Sequence, residues 1–433
     1  MTNASLPGFV SLFRNSAPYI NAHKGKTFVL VCGGGVVADE TFSSIVHDIA
    51  LLATLGVRLV MVHGSRRQVE AALQSENVPS TVVHGTRVTD PRALELAVQS
   101  AGTLRVRIEA LLSMGIANSP MHGARIRVCS GNFVTAQPLG VREGTDFQLT
   151  GKVRRIDHEG IRAQLALGNI VLLAPLGYSP TGEVFNLTKE DVAVSVATGL
   201  QADKLILLED AALTDTRGQP LRELPVALAQ TLQQGNASPA LRAAINACQQ
   251  GVERCHILDF HVDGALLHEL FTRDGIGAMI SRDSYESFRE AGIEDVGGIM
   301  RLIAPLEKDG TLVHRSRERL ELEIGCFSVV ERDGAIIACA ALLADLPNRT
   351  AELACVATDP AYRRSGRANR LLGHIEARAR DKGIERLFVL TTHTAHWFIE
   401  RGFRLADLAE LPEQRRGLYN FQRNSLVLIK DLE

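Results

Sequence analysis

Two folds succeed one another along this chain. The first is an α/β domain whose helices cover both faces of a mostly parallel sheet; the second is a smaller α+β domain with antiparallel strands. Two observations predict this order. From about Thr27 to Leu208, apolar runs of strand length alternate with helical patterns, as in a sheet buried on both faces. After about Arg282 the strands pair locally instead, and Asp333-Gly334, between Phe327–Glu331 and Ala335–Leu343, is the strongest short hairpin signal in the chain. A length of 433 residues allows two or three domains.

In chain order, Phe28–Val31, Arg58–Val62, Ile170–Ala174 and Lys204–Leu208 read as buried strands rich in Val, Ile and Leu. Ile45–Leu55 and Leu94–Leu112 place apolar residues at three- and four-residue intervals, the period of an amphipathic helix. Asp191–Leu200 reads as a further helix, with Thr188 as its N-cap and Asp191 standing in for the capping-box Glu. The polar stretch 284–298, ending in Gly297-Gly298, reads as the joint between a first domain over 1–283 and a second over 293–433. In the second domain the hairpin is followed by a strand (Glu352–Ala357), a basic Gly-containing turn and a helix (Ala368–Lys382). A strand (Arg386–Leu390) and a short helix around Trp397 complete it.

Composition narrows the function. With 47 Lys plus Arg against 49 Asp plus Glu, no overall basic charge serves nucleic acid or anionic lipid, so neither is an expected partner. Seven scattered cysteines with no C-x-x-C pair argue against a disulfide framework or a structural zinc site and fit a reducing compartment. No metal is expected. The first twenty residues lack the basic and apolar regions of a signal peptide, and no apolar run is long enough to cross a bilayer, so a cytoplasmic location is expected.

The sharpest chemical signal is Asp359 to Ala368, running from a strand into a helix. Backbone N–H groups at a helix start favour anions, Gly366 lets a phosphate approach the backbone, and Arg363, Arg364 and Arg367 add charge beside Ser365. The pattern resembles Arg/Gln-x-x-Gly-x-Gly/Ala, the acyl-CoA pyrophosphate loop of the GNAT acetyltransferases. Glu352 to Ala357 before it resemble the acetyltransferase half of bacterial N-acetylglutamate synthases. So do Leu390 to Thr392, His396 to Phe398, Arg423 to Ser425 and the opening His314 to Glu318.

The first 280 residues resemble an amino-acid-kinase domain, closest to N-acetylglutamate kinase. Phe28 to Gly35 take the place of its first strand and Gly-rich turn, Val62 to Ser65 its second phosphate turn, and Ser130 to Phe133 its substrate-side turn. The departures fall on the chemistry. Val31 or Cys32 stands where a kinase carries its phosphate-binding Lys, Ser65-Arg66 replaces glycines, and Leu208 to Asp210 give no clear Ser-Asp pair. Phosphoryl transfer depends on positioned cations and backbone donors, so the fold is expected here without the kinase reaction. A third stretch, His268 to Gly277, resembles the arginine-site segment of arginine-sensitive N-acetylglutamate kinases and synthases, and an N-terminal helix bearing Tyr19 resembles the arm that accompanies it.

The resemblance implies an N-acetyltransferase: acetyl-CoA plus L-glutamate gives N-acetyl-L-glutamate plus CoA, the entry to arginine biosynthesis. No tightly bound cofactor is implied, only acetyl-CoA as co-substrate. Glu352 is then the base for the substrate amine, and a backbone N–H of Cys355–Val356 the oxyanion donor. Thr391 is the donor to the thiolate, with Tyr419 or no protein acid as alternatives. Arg315 and Arg423 clamp the glutamate carboxylates beside Cys355. Val356, Ala357, Arg363, Arg364, Ser365, Gly366, Arg367 and Ala368 hold acetyl-CoA. For L-arginine as feedback inhibitor, Glu269 pairs with its cationic groups, Lys204 or His268 meets its carboxylate, Gly275 and Gly277 let it approach, and Tyr19 closes the site. A homo-hexamer is implied by resemblance alone. The rivals are an N-acetylglutamate kinase and an arginine-binding regulatory protein with a degenerate acetyltransferase domain.

Overall fold

The computed structural model describes residues 6–114, 121–215, 218–233, 238–272, 275–282, 286–332, 335–363, 366–417, 419 and 425–432. It divides into two compact units, Met1–Asp283 and Ser284–Glu433.

The first unit is built on an eight-stranded sheet, in the order Glu223–Pro225, Ala278–Ser281, Arg254–Asp259, Lys204–Glu209, Thr27–Cys32, Arg58–His63, Ile170–Leu173, Val128–Cys129. Its pairings are parallel except for Arg254–Asp259 with Ala278–Ser281. The central Thr27–Cys32 strand is buried at every position. Side chains alternate across a strand. Accordingly Val29 and Val31 join one core, with the helices Lys189–Leu200 and Pro239–Gln249, while Phe28, Leu30 and Cys32 join the other, with Phe42–Thr54, Pro91–Leu112 and Ala265–Phe271. A four-stranded sheet of Val184–Asn186, Leu176–Tyr178, Val134–Pro138 and Gly151–Ile156 completes the unit.

The helix reaching Leu200 begins at Lys189, and Thr188 caps it by accepting from the Asp191 N–H at 3.1 Å. Asp191 plays no capping-box role. Its carboxylate accepts from the Val153 N–H at 2.8 Å, tying the helix to the second sheet.

The second unit is a seven-stranded sheet ordered Ser287–Glu290, Phe327–Arg332, Ala335–Asp345, Thr350–Thr358, Arg386–Thr391, Leu426–Asp431, Arg404–Ala406. Every pairing is antiparallel except that of Thr350–Thr358 with Arg386–Thr391. Arg332 pairs with Ala335 across Asp333-Gly334, which lie outside the described residues. The helices Val296–Lys308 and Arg367–Asp381 cover opposite faces.

The expected joint over 284–298 is corrected here. From Glu286 onward it supplies the edge strand Ser287–Glu290 and the start of the Val296–Lys308 helix. The reason is electrostatic as well as apolar: Arg289 holds Asp295 at 2.6 Å and Glu331 at 2.6 Å, and Phe288 packs on the core.

Candidate active site

The two parallel strands of the second unit part after a short distance. Thr350, Ala351 and Glu352 pair with Arg386, Leu387 and Phe388; the rest of each strand, to Thr358 and Thr391, leaves the ladder. On its other edge the Thr350–Thr358 strand carries a bulge. The register passes from Ala341↔Ala354 to Cys339↔Ala357, so Cys355 and Val356 fall between paired positions. Cys355 takes φ of 50°, a left-handed conformation that costs a residue with a side chain roughly 1–2 kcal/mol. The bulge also reverses the faces: Ala351 and Leu353 pack toward the Arg367–Asp381 helix, whereas Cys355 and Ala357 pack toward the Val296–Lys308 helix. An unzipped strand edge with displaced backbone N–H groups is what an extended thioester chain and its oxyanion need.

Glu352 stands at the point of divergence. Both its oxygens accept from Arg415, from Nε at 2.5 Å and Nη2 at 3.0 Å. Sequence reasoning missed Arg415, because it follows Glu352 by sixty-three residues, on the five-residue helix Glu413–Gly417, and carries no motif.

Arg315 is half-buried beside the bulge. Its Nη1 lies against the Cys355 Sγ, its backbone N–H donates to Glu307 at 2.9 Å, and Glu323 Oε2 is 3.5 Å from its Nε. Arg315 Nε and Glu323 Oε2 are nonetheless both buried without a hydrogen-bond partner among the described residues. The Cys355 thiol, which feels the charges of Arg315, Glu307, Glu323 and Glu352, is pushed up to about 11, chiefly by burial. It is a neutral packing group and not a nucleophile.

Thr391 ends its strand with the hydroxyl in a local turn. It shares a hydrogen bond with Thr394 Oγ1 at 2.9 Å and accepts from the Thr394 N–H at 3.1 Å. The Tyr419 hydroxyl donates to the Ser425 carbonyl at 2.6 Å. Arg423 lies outside the described residues.

In the basic turn, Gly366 has φ of 76° and precedes the Arg367–Asp381 helix, with open space around it. Only a glycine enters that conformation without strain. Val356 and Ala368 are half-buried and Ala357 buried, so what they offer a ligand is backbone. Arg363 is exposed, and Arg364 and Ser365 lie outside the described residues. The expectation for Arg367 is corrected. Its guanidinium is buried, hydrogen-bonded to Glu286 and stacked 5.0 Å from the Tyr362 ring, so it holds the turn from below. Glu286 also meets Arg370 at 2.7 Å and Arg332 at 3.7 Å.

The first unit contains a cavity of about 1090 Å³ lined by Gly33 to Gly35, Gly64 to Arg67, Thr188 to Asp191 and Arg242. It lies at the carboxyl ends of two adjacent parallel strands, where α/β sheets bind ligands. No Lys comes from the first strand, but Lys189, which the sequence reading overlooked, enters from the helix start, its Cδ only 3.0 Å from where a Gly64 Cβ would stand. Burial pushes this ammonium's pKa down, yet Glu190 and Glu209, the latter at 2.8 Å, raise it on balance. Its charge is therefore balanced within the protein. Ser130 to Phe133 do not line this cavity.

The residues expected to meet arginine are redistributed. Glu269 is a loop organiser: its side chain is 4% exposed, it accepts from the Ile276 and Gly277 N–H groups at 2.8 Å each, and His256 Nδ1 is 2.6 Å away. Burial acts to raise its pKa, and these bonds outweigh it, leaving it at about 2. Gly275 and Gly277 are small because of this packing: a Cβ on Gly275 would stand 2.4 Å from Glu269 Oε2, and one on Gly277 2.1 Å from Leu258. Tyr19 is half-buried on the helix Leu6–His23, whose Ser16 hydroxyl reaches the Phe271 carbonyl at 3.3 Å and whose His23 reaches that of Leu270 at 2.8 Å. Burial and Lys204 bring His23 down to about 4. Lys204 is buried, 5.9 Å from the Phe28 ring, while His268 is exposed. His256 thus sits at Glu269, the Lys204 charge acts on His256 and His23, and His268 faces solvent.

Among the described residues no cluster of metal-ligating side chains occurs, and no helix is long and apolar enough to cross a membrane.

The amino acid kinase family model matches residues 26–259 and the acetyltransferase (GNAT) family model residues 299–403. An amino-acid acetyltransferase of Pseudomonas fluorescens is 52% identical over 99% of this chain and 100% of its own, and one of Pseudomonas syringae pv. tomato is 53% identical over 98% and 100%. The crystal structure of N-acetylglutamate synthase from Neisseria gonorrhoeae with coenzyme A and L-arginine is similar with a TM-score of 0.90 and 40% identity, covering 98% of this chain and 99% of that one. A structure of the same synthase with coenzyme A and N-acetyl-glutamate is similar with a TM-score of 0.64 and 41% identity, at the same coverage.

Proposed function

The chain belongs to the amino-acid acetyltransferases, and from that membership we propose how its residues carry out N-acetylglutamate synthesis: acetyl-CoA and L-glutamate react to give N-acetyl-L-glutamate and CoA, under inhibition by L-arginine. The observation that carries the reading is the parting of two parallel strands beside Glu352, with the Cys355 bulge and Arg315 on one side and the Gly366 turn at the head of the Arg367–Asp381 helix.

Free glutamate presents an ammonium near neutrality, so a proton must leave before nitrogen can attack the thioester. Glu352 takes that proton, directly or through one water. The nitrogen adds to the acetyl carbonyl, and the resulting oxyanion receives an N–H from the Cys355–Val356 bulge. The C–S bond then breaks, with CoA leaving as a thiolate. Thr391 is the proposed donor to it, with Tyr419 as the alternative. Arg315 takes a substrate carboxylate; a guanidinium fork suits that anion. Arg423 is proposed to help. The CoA pyrophosphate meets backbone N–H groups at the Gly366 turn and the exposed Arg363, with Arg364 and Ser365 as further proposed contacts.

We assign the first unit a regulatory and oligomerising role in a homo-hexamer acting in the cytoplasm. Arginine is proposed to bind beside Tyr19, Lys204, His268 and the Gly275–Gly277 loop that Glu269 holds. It inhibits by favouring one arrangement of the assembly over another. The test is thiol release from acetyl-CoA with glutamate and other amino acids as acceptors, with and without arginine. Glutamate should be preferred and arginine should suppress release. Absence of glutamate-dependent thiol release would refute the reading.

A further inference from the structure

We propose that Arg415 is the receptor for the α-carboxylate of the acceptor, and that it binds that carboxylate by giving up Glu352. The inference deepens the reading above and rests on it for the role of Glu352 as base. In the structure one guanidinium occupies both Glu352 oxygens, at 2.5 and 3.0 Å. Both oxygens accept from one cation, so a proton taken up by Glu352 would leave the Arg415 guanidinium facing a neutral acid, without its counter-charge. An anion that took over Arg415 as the proton moved would keep that cation paired.

An α-amino acid is built to do so. Its ammonium and carboxylate sit on one carbon and can insert between the two partners, ammonium toward Glu352 and carboxylate toward Arg415. Every charge is then paired again with nothing left over, and the same ammonium has been delivered to its base. The exposure of the partners fits such an exchange. Arg415 is 30% exposed on a five-residue helix, while Glu352 is 13% exposed on a central strand, so the arginine is the partner that solvent and substrate reach. Arg315, 11% exposed beside Cys355 and Glu323, is left for the side-chain carboxylate. The two carboxylates of glutamate are thus read by different arginines, and only the α one releases the base.

The two amides of glutamate separate these roles. Isoglutamine lacks the α-carboxylate, whereas glutamine lacks the side-chain carboxylate. Using the full-length protein, kcat and KM are measured for glutamate, isoglutamine and glutamine with wild type, Arg415→Met, Arg415→Lys and Glu352→Gln. Charge-assisted hydrogen bonds of this kind set a loss on the order of 10–100-fold. Arg415→Met should raise the glutamate KM by about that factor and erase the preference for glutamate over isoglutamine. The preference over glutamine and the acetyl-CoA KM should remain, and Arg415→Lys should recover part of the loss. An unchanged glutamate KM and isoglutamine ratio in Arg415→Met would overturn the proposal, as would collapse of the glutamine ratio instead. Near-wild-type turnover by Glu352→Gln would remove the base assignment, and with it the release of Glu352. The isoglutamine ratio would still decide whether Arg415 reads the α-carboxylate.

Discussion

Replacing Glu269 by Ala should uncouple arginine sensitivity from acetylation by loosening a loop, and the structure sets the size of the effect. The substitution strands the Ile276 and Gly277 N–H groups and His256 Nδ1, all held at 2.6–2.8 Å by one buried carboxylate. The carboxylate is ionised and accepts only, so Nδ1 carries the proton of a neutral imidazole; burial first, then Lys204, keep that imidazole's pKa lowered. An orphaned buried donor costs about 1–3 kcal/mol. The titration argues for a similar size. A carboxylate brought from 4.5 to about 2 contributes roughly 3 kcal/mol. That stability is fully present above about pH 4.5 and is lost as pH falls through about 2. Unfolding of Glu269→Ala followed by calorimetry should come on the order of 5–10 °C below wild type. The gap should be steady from pH 8 to 5 and should narrow only on stronger acidification. Acetylation without arginine should persist, while inhibition by arginine should weaken by tenfold or more. Glu269→Gln should be milder, because its amide can donate to the other His256 tautomer while its oxygen keeps the two N–H groups. An Ala variant as stable as wild type, or one with lost stability and intact arginine response, would refute the reasoning.

Four further outcomes are expected. Glu352→Gln should lower kcat by 100-fold or more while leaving the acetyl-CoA KM nearly unchanged, in line with general-base contributions of about 10²–10⁴; steady-state kinetics across neutral pH check it. The first unit should form no ADP above background with ATP, magnesium and N-acetylglutamate, because no Lys comes from the first strand and the Lys189 charge is balanced by Glu190 and Glu209. Arg363→Ala should raise the acetyl-CoA KM several-fold without changing the melting temperature. Arg367→Ala should do the opposite first, lowering the melting temperature, because it removes a buried partner of Glu286.

Much of the protein is legible in its sequence. Strand and helix periods follow from local burial, so Thr27–Cys32, Arg58–His63 and the Arg367–Asp381 helix came out within a residue or two of their predicted bounds. The turn at Gly366 was legible because a left-handed φ selects its residue, and Glu352 because its strand and following loop form one continuous motif. What could not be read was any partner chosen across the fold. Nothing local marks Arg415 as the partner of Glu352, sixty-three residues away, or Arg367 as the partner of Glu286, eighty-one away. Arg363 and Arg367 look equivalent in the sequence; only packing decides that one faces solvent and the other a buried carboxylate. For the same reason Glu269 read as a ligand contact and proved to be satisfied by the backbone of its own loop. Sequence period specifies which residues are buried. Which charges meet is specified by long-range geometry, because an ion pair depends on distance in space and leaves no period along the chain.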